Sequence, residues 1–148
     1  MTTVVIDDHL LRDVLTGESP HDLGGLATGL ATTGLWLFRL SSALAAPGTV
    51  GKLSAPVRAL PPDLQARFRS HLMKLPDEIQ VLHLRDLAWP MAELQHRHRQ
   101  VGHQLSVAMA EALAAAHHLG AAIAVSTHDI GPNLQSAARH DGIDFHVL

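Results

Sequence analysis

The sequence has 148 residues, of which 47% are hydrophobic and 17% are charged, and its formal net charge is −3. The apolar content is enough for a core and excludes a disordered chain, while the negative charge excludes a general attraction to nucleic acid, so RNA or DNA binding requires a local basic patch. Cysteine is absent, which excludes disulfides, thiolate catalysis and cysteine-based zinc sites.

This length predicts one domain spanning residues 1–148. No apolar run approaches the 18 or so residues of a membrane helix, and no signal peptide is visible, so we expect a cytoplasmic protein without a membrane segment. The low charged fraction predicts that a partner covers part of the surface.

The first predicted element is a strand. Thr3–Ile6 is a β-branched apolar run typical of a strand buried on both faces. Apolar residues at helical spacing then predict a short helix, which Gly17 and Pro20 close. An apolar stretch with several glycines follows from residue 23 to 46, and we predict a buried helix over its second half, from about Thr32 to Ala45.

Pro- and Gly-rich residues 47–62 predict a loop, and Pro62 opens a helix that ends near Lys74. The later predicted elements are a strand at 78–84, a helix opened by Pro90, a helix at 104–119, a strand at 121–126, a helix at 133–139 and a strand at 144–148. Strands that alternate with helices indicate the α/β class. We therefore predict a three-layer α/β/α fold around a mostly parallel sheet of four to five strands.

Two of the predicted strands run directly into acidic residues. Asp7 and Asp8 follow the first strand, and Asp129 follows the strand at 121–126. Ligands of an open parallel sheet bind outside the carboxyl ends of its strands, so these acids share one edge if the two strands are neighbours. The alternative interpretation is that each aspartate caps the turn or helix that follows it.

Glu111 is the only formally charged residue between Val101 and Gly120. On a helix this apolar, a buried carboxylate needs a cation, a metal ion or a raised pKa. The alternative interpretation places Glu111 on a narrow solvent-facing stripe together with His118, which lies seven residues later.

Five segments, in this order, resemble the PIN-domain family. Val4–Leu11 resembles the family's opening strand and its aspartate, and Glu111–Ala116 resembles its acidic residue followed by Ala-Leu and small residues. Val125–Asp129 is similar to its late strand ending in Thr-x-Asp. Residues 134–138 and 142–145 resemble its closing helix and strand, so the resemblance spans nearly the whole chain through order and spacing.

The resemblance implies a PIN-like fold and a metal-dependent ribonuclease, possibly a VapC-type toxin. Asp7, Glu111 and Asp129 would then be the catalytic residues and the ligands of Mg²⁺ or Mn²⁺. The implied partners are an RNA substrate and an antitoxin-like protein, and we expect a homodimer. Arg97 and Arg99 form the local basic patch predicted to contact RNA.

The acidic set is depleted relative to the family pattern. The family carries a further glutamate on its second major helix, where this sequence has Arg39 and no carboxylate between residues 22 and 63. An arginine there pairs with acids and opposes a divalent cation. An alternative register also puts Met109, rather than Glu111, in the position of the family's acid.

Three hypotheses follow. The first is an active PIN-like ribonuclease, in which Asp8, Arg39 and His128 modify the site. The second is a catalytically inactive PIN-like binding or regulatory module, with Arg39 bridging the former site. The third is an unrelated flavodoxin-like or receiver domain, which the residues Arg85-Asp86 after the strand at 78–84 match poorly.

The twelve histidines also raise the question of a metal site. His96 and His98 are two residues apart and His117 and His118 are adjacent, so each pair points to different faces of a helix. Zinc sites favour spacings such as His-x-x-x-His. We therefore predict that these histidines are solvated surface residues.

Overall fold

The computed structural model describes residues 2–18, 22–46 and 51–148, which form five strands and eight helices. The strands are β1 (Thr3–Ile6), β2 (Gly29–Thr33), β3 (Ile79–Leu82), β4 (Ala122–Val125) and β5 (Phe145–Val147). The helices are α1 (Asp8–Thr16), α2 (Leu23–Leu26), α3 (Gly34–Ala45), α4 (Ala55–Arg58), α5 (Pro62–Met73), α6 (Leu84–Gln100), α7 (Val107–Leu119) and α8 (Pro132–His140).

The five strands form one parallel sheet in the order β3-β2-β1-β4-β5. From β1 the chain builds β2 and β3 on one side, and it then returns to add β4 and β5 on the other. The direction of winding therefore reverses between β1 and β4, and such a switch point leaves a crevice outside the carboxyl ends of the two strands.

Alternate strand residues face two separate apolar layers. Val5, Ile123 and Val125 pack with α6, α7 and α8 on one face, while Val4 and Ile6 pack with α1, α3 and α5 on the other. A sheet buried on both faces needs apolar residues at every position of its central strands. The predicted three-layer α/β/α fold is confirmed.

The predicted helix from Thr32 to Ala45 is wrong at its start. Residues Gly29–Thr33 form β2, and α3 begins at Gly34 with the Thr33 side chain accepting a hydrogen bond from the Trp36 N–H at 3.2 Å. A strand covered on both faces has no polar alternation, so a short apolar run of this kind has no period that separates it from a helix.

The prediction that Pro90 opens a helix is also wrong. Helix α6 begins at Leu84 and carries Pro90 in its interior. The predicted loop at 47–62 contains the short helix α4; its residues 47–50, like Pro20, lie outside the described residues. The other predicted elements are confirmed with small differences at their ends. None of the helices in the described ranges is both long and apolar enough to cross a membrane.

Ile123→Ala tests how strongly β4 is anchored beside β1. Ile123 is fully buried, so the substitution removes buried methylenes and leaves a cavity, and we expect a loss of about 2–5 kcal/mol in the free energy of unfolding. Urea denaturation measures this loss. The control is Ile130→Ala at a 38% exposed position, where a loss as large as that of Ile123→Ala would contradict the assignment of the core.

Candidate acidic site at the carboxyl edge of the sheet

The neighbouring strands β1 and β4 bring the predicted aspartates to one edge. Ile6 pairs with Ala124, and the Asp7 N–H donates to the Ala124 carbonyl at 3.2 Å, directly beyond that pair. Asp129 follows β4 at the same edge, close enough to raise the pKa of Asp7. The inference that the acids share one edge if these strands are neighbours is therefore confirmed.

Asp7 is buried and both of its carboxylate oxygens accept backbone hydrogen bonds. Oδ1 accepts from the Leu10 N–H at 2.9 Å, which caps α1, and Oδ2 accepts from the Ser126 N–H at 3.0 Å. Burial raises the pKa of Asp7 to about 7, against these two hydrogen bonds, and the charges of Asp8 and Asp129 add to the rise. Asp7 thus caps a helix and also ties β1 to the segment after β4.

Arg39 bridges two other carboxylates at this edge. Its Nε lies 3.2 Å from Oδ2 of the buried Asp8, and its NH2 group donates to Asp129 Oδ2 at 3.2 Å. Burial raises the pKa of Asp8, while the positive charge of Arg39 opposes that rise. The predicted pairing of Arg39 with the acids is thus present, with the side chains of Arg39 and Asp129 each about half exposed.

His9 belongs to this site, although the sequence reasoning did not select it. Ligand-type atoms of Asp8, His9 and Asp129 all lie within 4.8 Å of one another. Burial lowers the pKa of His9, against the charge of Asp8, and the ring lies 6.0 Å from that of His128. The sequence feature that indicates its place in the site is its position directly after Asp7-Asp8, in the first turn of α1.

Glu111 is buried rather than placed on a solvent stripe. Its Oε1 accepts the Leu35 N–H at 2.8 Å in the first turn of α3, where the helix dipole favours a negative charge. A Cβ placed on Gly34 would lie 3.9 Å from Oε2, so the carboxylate lies directly against the start of that helix. The buried carboxyl group therefore has a helix N-terminus as its partner.

A cavity of about 60 Å³ opens at the same edge. Its lining includes Asp7, Arg39, Asp129 and Met109 but not Glu111. The alternative register in which Met109 takes the position of the family's acid therefore agrees with the lining of this cavity.

The predicted ligand set of Asp7, Glu111 and Asp129 does not fit a divalent ion in this arrangement. Mg²⁺ prefers several carboxylate oxygens and waters at near-octahedral geometry. Both oxygens of Asp7 accept backbone N–H groups, and Arg39 lies on Asp8 and Asp129. Within the described ranges, the predicted set of Asp7, Glu111 and Asp129 does not form a group of mutually close ligand atoms. Its role as a metal site stays a prediction.

The residues predicted to contact RNA lie at the other edge of the sheet. Arg97 is in the last turn of α6 and makes two 2.8 Å hydrogen bonds to Asp141, which follows α8 and precedes β5. Since α8 runs from the carboxyl edge back to the amino edge, this pair and neighbouring Arg99 are remote from the acids. RNA contact by Arg97 and Arg99 stays a prediction.

The prediction that the histidines are solvated is wrong for His98. Its side chain is fully buried, with Nε2 3.1 Å from Asp141 Oδ2, and His117 and His140 also contact Asp141. Spacing along one helix missed this cluster because its members come from different helices.

No model of a protein family and no curated protein matches this sequence. Solved structures that share its fold include the following two. A chain of FitAB bound to an IR36 DNA fragment is 13% identical with a TM-score of 0.55, covering 97% of this chain and 94% of that one. A chain of FitAcB from Neisseria gonorrhoeae is 14% identical with a TM-score of 0.54, covering 97% and 96%. The fold of this protein is PIN-like.

The raised pKa of Asp7 predicts a pH-dependent contribution to stability. The folded-state pKa of about 7 exceeds the unfolded value of 3.8, so the folded chain holds more protons between these values. The contribution is therefore full below pH 3.8 and is lost as the pH rises through 7. We expect the difference in unfolding free energy between wild type and Asp7→Asn to fall by up to about 1.4 kcal/mol per pH unit in this window.

Urea denaturation of both proteins at several pH values measures this difference, in which the titration of the other groups cancels. Asp63→Asn, at an exposed position in α5, is the control and should keep the wild-type pH profile. Parallel profiles for wild type and Asp7→Asn would contradict the pKa shift.

Two substitutions of Glu111 test whether the fold needs its negative charge or only an acceptor for the Leu35 N–H. Glu111→Gln keeps an acceptor for the Leu35 N–H, so we expect it to cost less than about 1 kcal/mol of unfolding free energy. Glu111→Leu leaves that part-buried N–H without its side-chain acceptor and should cost about 1–3 kcal/mol. Urea denaturation compares the free energies of unfolding of the two variants, and equal values would contradict the capping role of Glu111.

Proposed function

We propose that this protein is a catalytically inactive PIN-like binding module that acts with an antitoxin-like protein partner. The observation that carries the proposal is the position of Arg39, whose guanidinium contacts both Asp8 and Asp129. With His9, these two carboxylates form the group of close ligand atoms at this edge. In this proposal the guanidinium of Arg39 holds Asp8 and Asp129 together, and the module binds its partner without cleaving RNA.

The electrostatics of Arg39 oppose a divalent ion. Arginine stays protonated at every physiological pH, so a Mg²⁺ ion about 4 Å away would be repelled by about 2 kcal/mol in bulk water and about 8 kcal/mol near a protein surface. Millimolar binding corresponds to only about −4 kcal/mol. A repulsion in this range is enough to remove metal binding at physiological concentrations unless Arg39 leaves.

Exposed apolar side chains support a protein partner. Phe38 on α3 is 64% exposed, Met73 at the end of α5 is 89% exposed and Trp89 on α6 is 75% exposed. These side chains are available to a partner, and the low charged fraction of the chain predicts that a partner covers part of the surface. The resemblance to VapC-type toxins supplies the partner class, and the likeness to FitAB and FitAcB supports it. A second copy of the chain could also use exposed apolar surface of this kind, and a homodimer stays a prediction.

The second candidate function is a metal-dependent ribonuclease. It is favoured by the closeness of the Asp8, His9 and Asp129 ligand atoms, within 4.8 Å, and by the half exposure of Arg39, which lets its side chain turn into solvent. In this candidate Mg²⁺ or Mn²⁺ would supply a polarised water, and RNA would be the substrate. The same experiment separates the two candidates.

Removal of Arg39 should create a response to manganese. We expect MnCl₂ at about 5 mM, a concentration that detects binding with a millimolar Kd, to leave the melting temperature of the wild type unchanged. Arg39→Gln should melt several degrees lower, because the buried Asp8 loses its cation, and Mn²⁺ should restore part of the loss by binding only the folded state. Differential scanning calorimetry measures both effects.

The matched control is Arg85→Gln at the start of α6, where the arginine is 86% exposed, and it should behave as wild type. Arg39→Gln combined with Asp129→Asn should lose the manganese response. A wild type that is itself stabilised by Mn²⁺ and cleaves RNA, with cleavage lost in Asp129→Asn, would overturn the inactive module and establish the ribonuclease.

A further inference from the structure

A second polar cluster lies at the amino edge of the sheet, away from the acidic site. Asp141 lies at its centre, directly after α8, with its side chain only 2% exposed. Three histidines and one arginine from the ends of three helices contact its carboxylate: His98 and Arg97 on α6, His117 on α7 and His140 on α8. Neither proposed function uses the carboxylate or the three histidines of this cluster.

The distances within the cluster match those between the ligands of one metal ion. His98 Nε2 lies 3.1 Å from Asp141 Oδ2, and His140 Nδ1 lies 3.3 Å from Asp141 Oδ1. Bonds of about 2.0 Å at tetrahedral angles put two ligands of a zinc ion about 3.3 Å apart. The ligand atoms of all three residues lie within 4.8 Å of one another.

We propose that His98, His140 and Asp141 form a binding site for a transition-metal ion of the Zn²⁺ class. Two imidazoles and one carboxylate suit zinc, whereas Mg²⁺ and Ca²⁺ prefer oxygen ligands alone. The ion would lie between the ring nitrogens of the two histidines and the carboxylate of Asp141. It would link the C-terminal ends of α6 and α8.

The residues around the three ligands already hold them in place. His98 Nδ1 lies 3.0 Å from His103 Nδ1, so the ring nitrogen of His98 that faces away from Asp141 has a hydrogen-bond partner. His117 Nε2 lies 2.7 Å from Asp141 Oδ2, and Arg97 makes two 2.8 Å hydrogen bonds to the same carboxylate. Such outer contacts orient metal ligands and are a regular part of metal sites.

Arg97 limits the affinity of the site but does not block it. Its charge is already matched by Asp141. Oδ1 of that carboxylate accepts one hydrogen bond from Arg97 and otherwise faces His140 Nδ1 at 3.3 Å, so it keeps a lone pair for an ion. The two histidine ligands are neutral when they bind a metal. Binding should therefore be weaker than in an all-protein zinc cage, and it should compete with the arginine for one carboxylate rather than with two backbone N–H groups, as at Asp7.

Zinc titration of the full chain, prepared without a polyhistidine tag, tests the proposal. We expect calorimetry with ZnCl₂ to show one equivalent bound to the wild type and a raised melting temperature, with no heat from MgCl₂. His140→Ala should weaken zinc binding at least tenfold. His140 is about half exposed and makes a single contact to Asp141, so this variant should keep its fold, which circular dichroism checks. Co²⁺ in place of Zn²⁺ should give a visible ligand-field spectrum that His140→Ala loses.

His96→Ala and His118→Ala, at exposed positions of α6 and α7, are matched controls and should bind zinc as the wild type does. Asp129→Asn removes the other close group of ligand atoms, formed with Asp8 and His9, and should also bind normally. No zinc binding at 100 µM, a concentration corresponding to about −5.5 kcal/mol, would overturn the proposal. Unchanged binding in His140→Ala or loss of binding in Asp129→Asn would do the same.

Discussion

The parallel pairing of β1 with β4 is the contact on which the acidic edge depends. It sets Ile6 opposite Ala124, and from that register the chain after β4 passes over Asp7, whose Oδ2 accepts the Ser126 N–H. A slip of one residue would turn every side chain of the strand to the opposite face of the sheet. The register therefore fixes both the core and the placement of the carboxylates.

Helix N-termini explain how this fold keeps acids buried. Asp7 accepts the Leu10 N–H at the start of α1, and Glu111 accepts the Leu35 N–H at the start of α3. Asp7 both caps helix α1 and lines the cavity at this edge, so the two interpretations of the aspartate do not exclude each other. The same backbone N–H groups that stabilise these acids also occupy oxygens that a metal ion would need.

The sequence predicts what depends on local pattern and fails where the contacts are long-range. The apolar run Thr3–Ile6 and its aspartates predict β1 and one edge of the site because they are contiguous. β2 was missed because a strand covered on both faces lacks alternation. The Asp141 cluster was missed because its side chains come from three different helices, and no spacing along one helix records that meeting.

The two edges of the sheet have opposite arrangements of charged side chains. At the carboxyl edge one arginine lies between two carboxylates, whereas at the amino edge one carboxylate gathers an arginine and three histidines. A metal ion at the first edge must displace Arg39, because its guanidinium lies on both Asp8 and Asp129. At the second edge it competes with Arg97 for a single carboxylate, and two of its three proposed ligands are imidazole nitrogens. This difference in what is displaced, rather than the number of acids, makes the amino edge the better place for a transition-metal ion in this chain.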